Sequence, residues 1–450
     1  IKANKELNLL LEDARKALPA KSPAGLNKML EILCGKIIQD DREFFDPQMM
    51  ATMAMSHWEM AKEREKGEPK LRIYCPNVED GKCRKTVIDI VSDDLAFLVD
   101  SVAADINKNN LLIGILIHPN IYTSYDKNGD LKDIKPVSEK GYHRQAHIHV
   151  QINETLSDQA IKELKESLYM VLDDVFYANV DWKPILSKLQ EASGALNTAR
   201  TNRPAAEIQE HCAFLDYLYD NNFTLLGYRE YAFIDGKSGV KSRTIKGSSL
   251  GLLHDDVSPA YIMESVEELP QTLQELRRNL PPVSISKTNR LSTVHRRVPM
   301  DCVAVKIYDA DGKVVGEKLF LGLFTSVTYS RSVSDVPYLR VKVENAMEES
   351  GYIEGTHDAK ALRHILEKYP RDELFQIEIE ELLKICRNII RLQERQRIAL
   401  FLREDPFGRY ISCLVYIPRD RFGTKLRKDI QHILEEETNG VCANFYTTLD

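Results

Sequence analysis

Apolar residues near the N-terminus fall into two stretches with helical spacing, Leu7, Leu9, Leu10 and Leu11, then Leu26, Met29, Leu30, Ile32, Leu33 and Ile37. Pro19, Pro23 and Gly25 separate them into different helices. Phe45 to Lys66 also reads as mostly helical, and the charge-rich run from Ala61 to Pro69 is a candidate linker closing a helical segment over 1–69. From Lys70 the period becomes that of strands. Thr86–Val91 is β-branched, Leu95–Lys108 helical, Leu111–His118 and Gln145–Ile152 are strands, and Leu156–Phe176 is a second helix. The order βαββα predicts a ferredoxin-like domain over 70–180, two helices covering one face of an antiparallel sheet.

A helical linker is expected over 181–222, with a loop at Gly194–Pro204, and a second α+β unit over 223–343. The centre of that unit is an antiparallel hairpin: Val303–Tyr308, the turn Asp309-Ala310-Asp311-Gly312, and Glu317–Phe324. A helical connector follows over 344–396. In it Pro370 starts a helix whose apolar face, Leu374, Phe375, Leu382, Leu383, Cys386, Ile389 and Ile390, continues through Arg391. The remainder, 397–450, reads strand, turn, strand, helix Thr424–Glu437, and a strand from Val441, an incomplete second ferredoxin-like domain. Pro406 and Gly408 suit a type I turn. The predicted class is α+β and multidomain, with antiparallel sheets joined by helices.

Length agrees with this division, since 450 residues exceed one ordinary core and call for about three or four units. No apolar run approaches the ~20 residues that span a bilayer, so no membrane partner is expected. A formal net charge of −7 argues against nucleic acid, which demands clustered positive charge. The N-terminal Ile-Lys-Ala-Asn-Lys has neither an initiator Met nor an export pattern, which suggests an internally cut chain and a cytoplasmic location. The eight cysteines contain no Cys-x-x-Cys pair, and free thiols are expected throughout, Cys75 and Cys83 included.

No Gly-x-Gly-x-x-Gly, Gly-x-x-x-x-Gly-Lys or His-Glu-x-x-His motif occurs, so neither bound NAD nor intrinsic catalysis is expected of these residues. What does stand out is a set of longer segments. Thr356-His357-Asp358-Ala359-Lys360 through Gln376, Asp405-Pro406-Phe407-Gly408-Arg409-Tyr410 through Asp420, Leu225–Tyr231 and Gly247–Leu253 closely resemble the N-terminal regulatory portion of the large bacterial NAD-specific glutamate dehydrogenases. The resemblance implies ACT-type domains at 70–180 and 397–450, a PAS-like domain at 223–343, and a homo-oligomer with an amino-acid effector. It also implies a parent enzyme that oxidises L-glutamate to 2-oxoglutarate and ammonia with NAD. The substrate lysines and NAD-binding glycines would lie in a catalytic domain outside this chain, which would hold no cofactor and be inactive alone. The alternatives are an assembly scaffold that binds no effector, and a self-contained enzyme with a site in the basic 277–297 region.

The candidate effector site is the loop joining the first ACT strand to its helix: Ser92, Asp93, Asp94, Ala96 and Phe97. Amides at a helix N-terminus attract a carboxylate and a nearby Asp accepts from an ammonium, so an α-amino acid suits it chemically. Amino-acid-binding ACT domains commonly have Gly here, where this chain has Ala96 or Phe97. The competing reading is that Asp93 or Asp94 merely caps the helix. His143, His147 and His149, at multiples of two along the chain, could present imidazoles to a metal from one strand face, but ligands usually come from separate elements and no acid or thiol adjoins them. Structural or solvated histidines are expected, with no metal. Arg277, Arg278, Lys287, Arg290, His295, Arg296 and Arg297 form a basic run that could fork onto an anion, or pair with Glu264, Glu267, Glu268 and Glu275.

Overall fold

The computed structural model describes residues 2–65, 67–76, 85–127, 129–236, 239–254, 269–392, 395 and 397–448. The chain divides into two compact units, Ile1–Asn179 with Thr293–Arg297, and Val180–Ser292 with Val298–Asp450. The class is α+β with antiparallel sheets, as the hydrophobic pattern predicts.

In the first unit three helices, α1 (Lys2–Ala17), α2 (Ala24–Cys34) and α3 (Pro47–Glu63), precede the sheet. Asp46 starts α3 by accepting from the Met49 amide (2.7 Å), with Pro47 at the first helical position, where it loses no hydrogen bond. Ala14, Met29, Leu30, Met50 and Met53 share one apolar cluster with Ile115, Ile117, Ile121 and Ile134 of the sheet, so these helices are part of its core. The strands are β1 (Lys70–Tyr74), β2 (Thr86–Asp93), β3 (Ile113–Ile117), β4 (Asn120–Tyr125), β5 (Leu131–Lys135) and β6 (His143–Ile152). Their order is β1-β2-β6-β4-β5, with β3 also beside β6. Helix α4 (Leu98–Lys108) joins β2 to β3, and α5 (Asp158–Val180) follows β6.

The β2–β6 register pairs Val91 with His147, Asp89 with His149 and Val87 with Gln151. Because side chains alternate, these six share one face, and Ile88, Ile90, Ile148 and Val150 lie on the other. Gln145 to Ile152 is buried without interruption, so β6 is covered on both faces. The polar face is the one that meets α3, through His57. Ser92, of the opposite parity, shares a cleft with Leu172 and Phe176 of α5.

The second unit opens with α6 (Trp182–Thr198) and α7 (Ala205–Tyr217). Its antiparallel sheet contains β7 (Phe223–Gly236), β8 (Gly239–Thr244), β9 (Leu250–Gly251), β10 (Val283–Leu291), β11 (Pro299–Tyr308) and β12 (Val314–Phe324), in the order β10-β11-β12-β7-β8, with α8 (Gln271–Asn279) between β9 and β10. The predicted hairpin is β11–β12: Asp309 accepts from the amides of Asp311 and Lys313 (3.0 and 2.9 Å), and Gly312 takes φ +83.

After α9 (Ser326–Ser330), α10 (Leu339–Ser350) and α11 (His357–Lys368), the helix expected from Pro370 through Arg391 is two helices, α12 (Arg371–Gln376) and α13 (Ile379–Leu392). The backbone is extended at Ile377 (φ −67, ψ 138), yet Leu374, Phe375, Ile377, Leu382 and Cys386 all reach one core. The tail has β13 (Ala399–Glu404), β14 (Ile411–Tyr416) and α14 (Thr424–Thr438). Asp405 accepts from the amides of Phe407 and Arg409 (both 3.2 Å) in the β13–β14 turn, where Gly408 has φ +68. The strand expected from Val441 is absent: 441–448 has no regular secondary structure.

Two further expectations change or stay open. Cys75 is disulfide-bonded and not the free thiol expected, while Cys83 lies outside the described residues. Cys34, Cys212, Cys302, Cys386, Cys413 and Cys442 are free. No described helix is long and apolar enough to cross a membrane.

Candidate functional site

The five residues singled out by the sequence form the crossing from β2 to α4. Ser92 donates from its hydroxyl to the Asp93 carbonyl (2.9 Å). The Asp93 carboxylate accepts from Arg64 (2.6 Å), whose side chain is only 3% exposed, and Asp94 pairs with Arg144 (2.7 Å). The Ala96 amide donates to Asn179 Oδ1 (3.0 Å), and Asn179 returns a hydrogen bond to the Ala96 carbonyl (3.1 Å). Phe97 then adopts the left-handed conformation, φ 66 and ψ 3. The backbone here takes a form that glycine holds without cost, so a bulky side chain at this point stores strain. Its ring lies 4.6 Å from that of His295, whose amide donates to Ser101 Oγ (3.0 Å) within the same unit.

Helix α4 therefore starts on Phe97, and no side chain caps it. The capping alternative for Asp93 and Asp94 is overturned, because both carboxylates are turned to guanidinium groups. Ser92 and Asp93 instead border a small cleft of about 10 Å³, walled by Gly67, Pro69, Leu95, Leu98, Leu172 and Phe176. Its floor is apolar, its rim carries one carboxylate, and the first-turn amides of α4 lack intrahelical acceptors. That combination has the polarity for a cationic head, an anionic group and an aliphatic body, in a space that must widen to admit more than a water-sized group.

The three histidines of β6 do not form one set of ligands. His143 is exposed, whereas His147 and His149 are buried. His149 Nδ1 meets Asp89 Oδ1 at 2.6 Å, and His147 Nδ1 meets Nδ1 of His57 at 3.2 Å. Burial, with the charges of His57 and Arg64, holds the His147 imidazole well below its ordinary range. His57 and Asp89 were missed by sequence reasoning, since nothing in the primary structure links positions on α3, β2 and β6.

The basic run is largely spent on internal partners. Arg277 and Lys306 hold the buried Glu317, and Arg278 pairs with Asp235. Lys287 bridges Asp301 (2.7 Å) and Asp372 (3.2 Å), and burial pushes the Asp301 carboxyl up to about 6 despite that ammonium. Of the acids proposed to pair with this run, Glu264, Glu267 and Glu268 lie outside the described residues.

Comparison with known proteins gives the parts in order. Residues 29–168 match the ACT1 domain of glutamate dehydrogenase, 336–395 its helical motif 1 and 399–450 its ACT2 domain. Fold and matches together define a multidomain α+β protein built on ACT domains. The NAD-specific glutamate dehydrogenase of Pseudomonas aeruginosa is 32% identical over 410 residues, 87% of this chain and 24% of the relative. That of Halomonas elongata is 32% identical over 403 residues, covering 88% and 25%, and that of Mycobacterium tuberculosis 28% over 415, covering 89% and 24%. This chain belongs to the family of the NAD-specific glutamate dehydrogenases and spans about a quarter of the length of these relatives.

Proposed function

We propose that this chain is the regulatory and assembly part of an NAD-dependent glutamate dehydrogenase, which converts L-glutamate, NAD and water to 2-oxoglutarate, ammonia and NADH. The observation that carries the reading is the ordered match to ACT1, helical motif 1 and ACT2 over most of the chain. On this reading the catalytic residues and the NAD site belong to segments of the whole enzyme that these parts do not include, and the enzyme works as a cytoplasmic homo-oligomer. The cleft beside Asp93 takes an amino-acid effector. Its ammonium goes to Asp93, its carboxylate to the first-turn amides of α4, and its side chain onto Leu98, Leu172 and Phe176.

A second reading, a scaffold without an effector, has its own support. The loop's polar groups already have internal partners, and the β13–β14 hairpin is a two-stranded sheet exposing Leu400 and Leu402. Calorimetric titration with glutamate, aspartate, arginine, glutamine and leucine separates the two. Saturable heat from one of them supports the effector site, and none from all five supports the scaffold.

A further inference from the structure

Three side chains from three different elements meet inside the first unit: His57 of α3, Asp89 of β2 and His149 of β6. Their ligand atoms all lie within 4.8 Å of one another, and the side chains are 0%, 0% and 1% exposed. His57 Nε2 and Asp89 Oδ2 are buried and make no well-aligned hydrogen bond, and the Tyr74 hydroxyl also faces the Asp89 carboxylate. A carboxylate out of reach of water needs a compensating charge. Among the described residues the ion-pair partners of Asp89 are these two imidazoles, with no Lys or Arg among them.

We propose that His57, Asp89 and His149 form a binding site for a divalent transition-metal ion of the zinc class, which fastens α3 to the ACT sheet. Two imidazoles and one carboxylate are a common zinc donor set, and they leave one tetrahedral position to fill. His57 Nε2 stands 3.3 Å from Asp89 Oδ1, close to the separation of two ligands bound at about 2.0–2.2 Å to one tetrahedral ion. His149 and Asp89, now in direct hydrogen bond, open slightly as the ion replaces the shared proton. The His57 ring is also braced through its other nitrogen, Nδ1, by His147 (3.2 Å), and the Gln151 side-chain amide lies 3.1 Å from His149 Nε2, whose N–H needs the amide oxygen as its acceptor once Nδ1 holds the ion. Such outer partners set tautomer and ring orientation. The two features missing from the histidine pattern, an acid and ligands from separate elements, are supplied by Asp89 and His57.

The test uses the whole chain, purified without an affinity tag that binds metal and analysed by inductively coupled plasma mass spectrometry. About one equivalent of zinc per chain is expected. After chelation, the folded chain takes up Co²⁺ with the visible bands of a four-coordinate site, and Zn²⁺ raises its melting temperature. Asp89→Asn, close in shape to the parent, and His149→Gln abolish both effects. His147→Gln, which removes only an outer partner, keeps the site with affinity lowered by about 10- to 100-fold. Should the His149 variant fail to fold, the Asp89→Asn chain and the Co²⁺ spectrum of the parent decide. Zinc below about a tenth of an equivalent, with no Co²⁺ bands from a folded chelated chain, overturns the site by the same stoichiometric criterion. So does metal bound equally by the parent and Asp89→Asn.

Discussion

His211 of α7 is buried at 5% exposure, stacks on Tyr338 at 5.7 Å, and leaves Nδ1 without a hydrogen bond. Burial, helped by the charge of Arg203 and opposed by Glu210, pushes its imidazole from 6.5 down to about 4. The folded value lies below the unfolded one, so on acidification the unfolded chain takes up this proton first. The stability linked to His211 is complete above about pH 6.5 and is lost as pH falls toward about 4, on the order of 3 kcal/mol in all. Urea unfolding at a series of pH values should show this acid slope, and His211→Phe, which keeps the stacking, should flatten it.

Gly25, at the start of α2, makes a second point at the same scale. A Cβ there would sit 2.3 Å from the ring of Trp58, which is only 8% exposed on α3. Alanine is the better helix former by about 1 kcal/mol, but pushing the indole aside in a packed core costs ~1–3 kcal/mol. Gly25→Ala should therefore lower the melting temperature and shift Trp58 fluorescence.

Among the elements, those set by local chemistry were legible in the sequence. The turns at Asp309–Gly312 and Asp405–Gly408 follow from an Asp that accepts amides ahead of it and a Gly that takes positive φ, and both hairpins formed where predicted. The α12–α13 break was not legible, because Ile377 is itself a buried apolar residue and leaves the hydrophobic period intact. What holds the break is a distant side chain. Lys342 of α10 donates from Nζ to the carbonyls of Leu374, Phe375 and Ile377 (3.0, 3.1 and 3.0 Å), and burial lowers its ammonium to about 8. Lys342→Met leaves three carbonyls at the end of α12 without this donor. The expected loss is about 1–3 kcal/mol, with faster hydrogen exchange at 371–378 as the local readout.

The candidate site divides along the same line. The 92–97 crossing was readable as a strand-to-helix loop with acids in it. Its actual wiring was not, since Arg64, Arg144 and Asn179 reach it from elsewhere in the chain. Alternation along β6 identified His147 and His149 as sharing a face, but only packing against α3 brings His57 to Asp89.

For the whole molecule, the first unit couples an ACT sheet, a cleft at its β2–α4 edge and a buried polar cluster beneath its other face, within a chain that makes up about a quarter of its relatives' length. On the proposed function, the readout is what the cleft does to catalysis elsewhere in the whole enzyme. Asp93→Ala would strand the buried Arg64 charge, so Asp93→Asn, which keeps an acceptor for Arg64 while losing the charge, is the cleaner variant. Losing a charged hydrogen bond to the effector costs roughly 1.5 to 3 kcal/mol, about one to two decades in affinity.

The most direct measurement follows glutamate-dependent NADH formation by the complete enzyme carrying this chain, with and without Asp93→Asn, across a titration of each of the five amino acids. The account predicts that one amino acid changes the rate of the parent, and that Asp93→Asn moves its half-effect concentration about 10- to 100-fold higher with the unstimulated rate unchanged. An identical response from parent and variant, or no response from either, would contradict it.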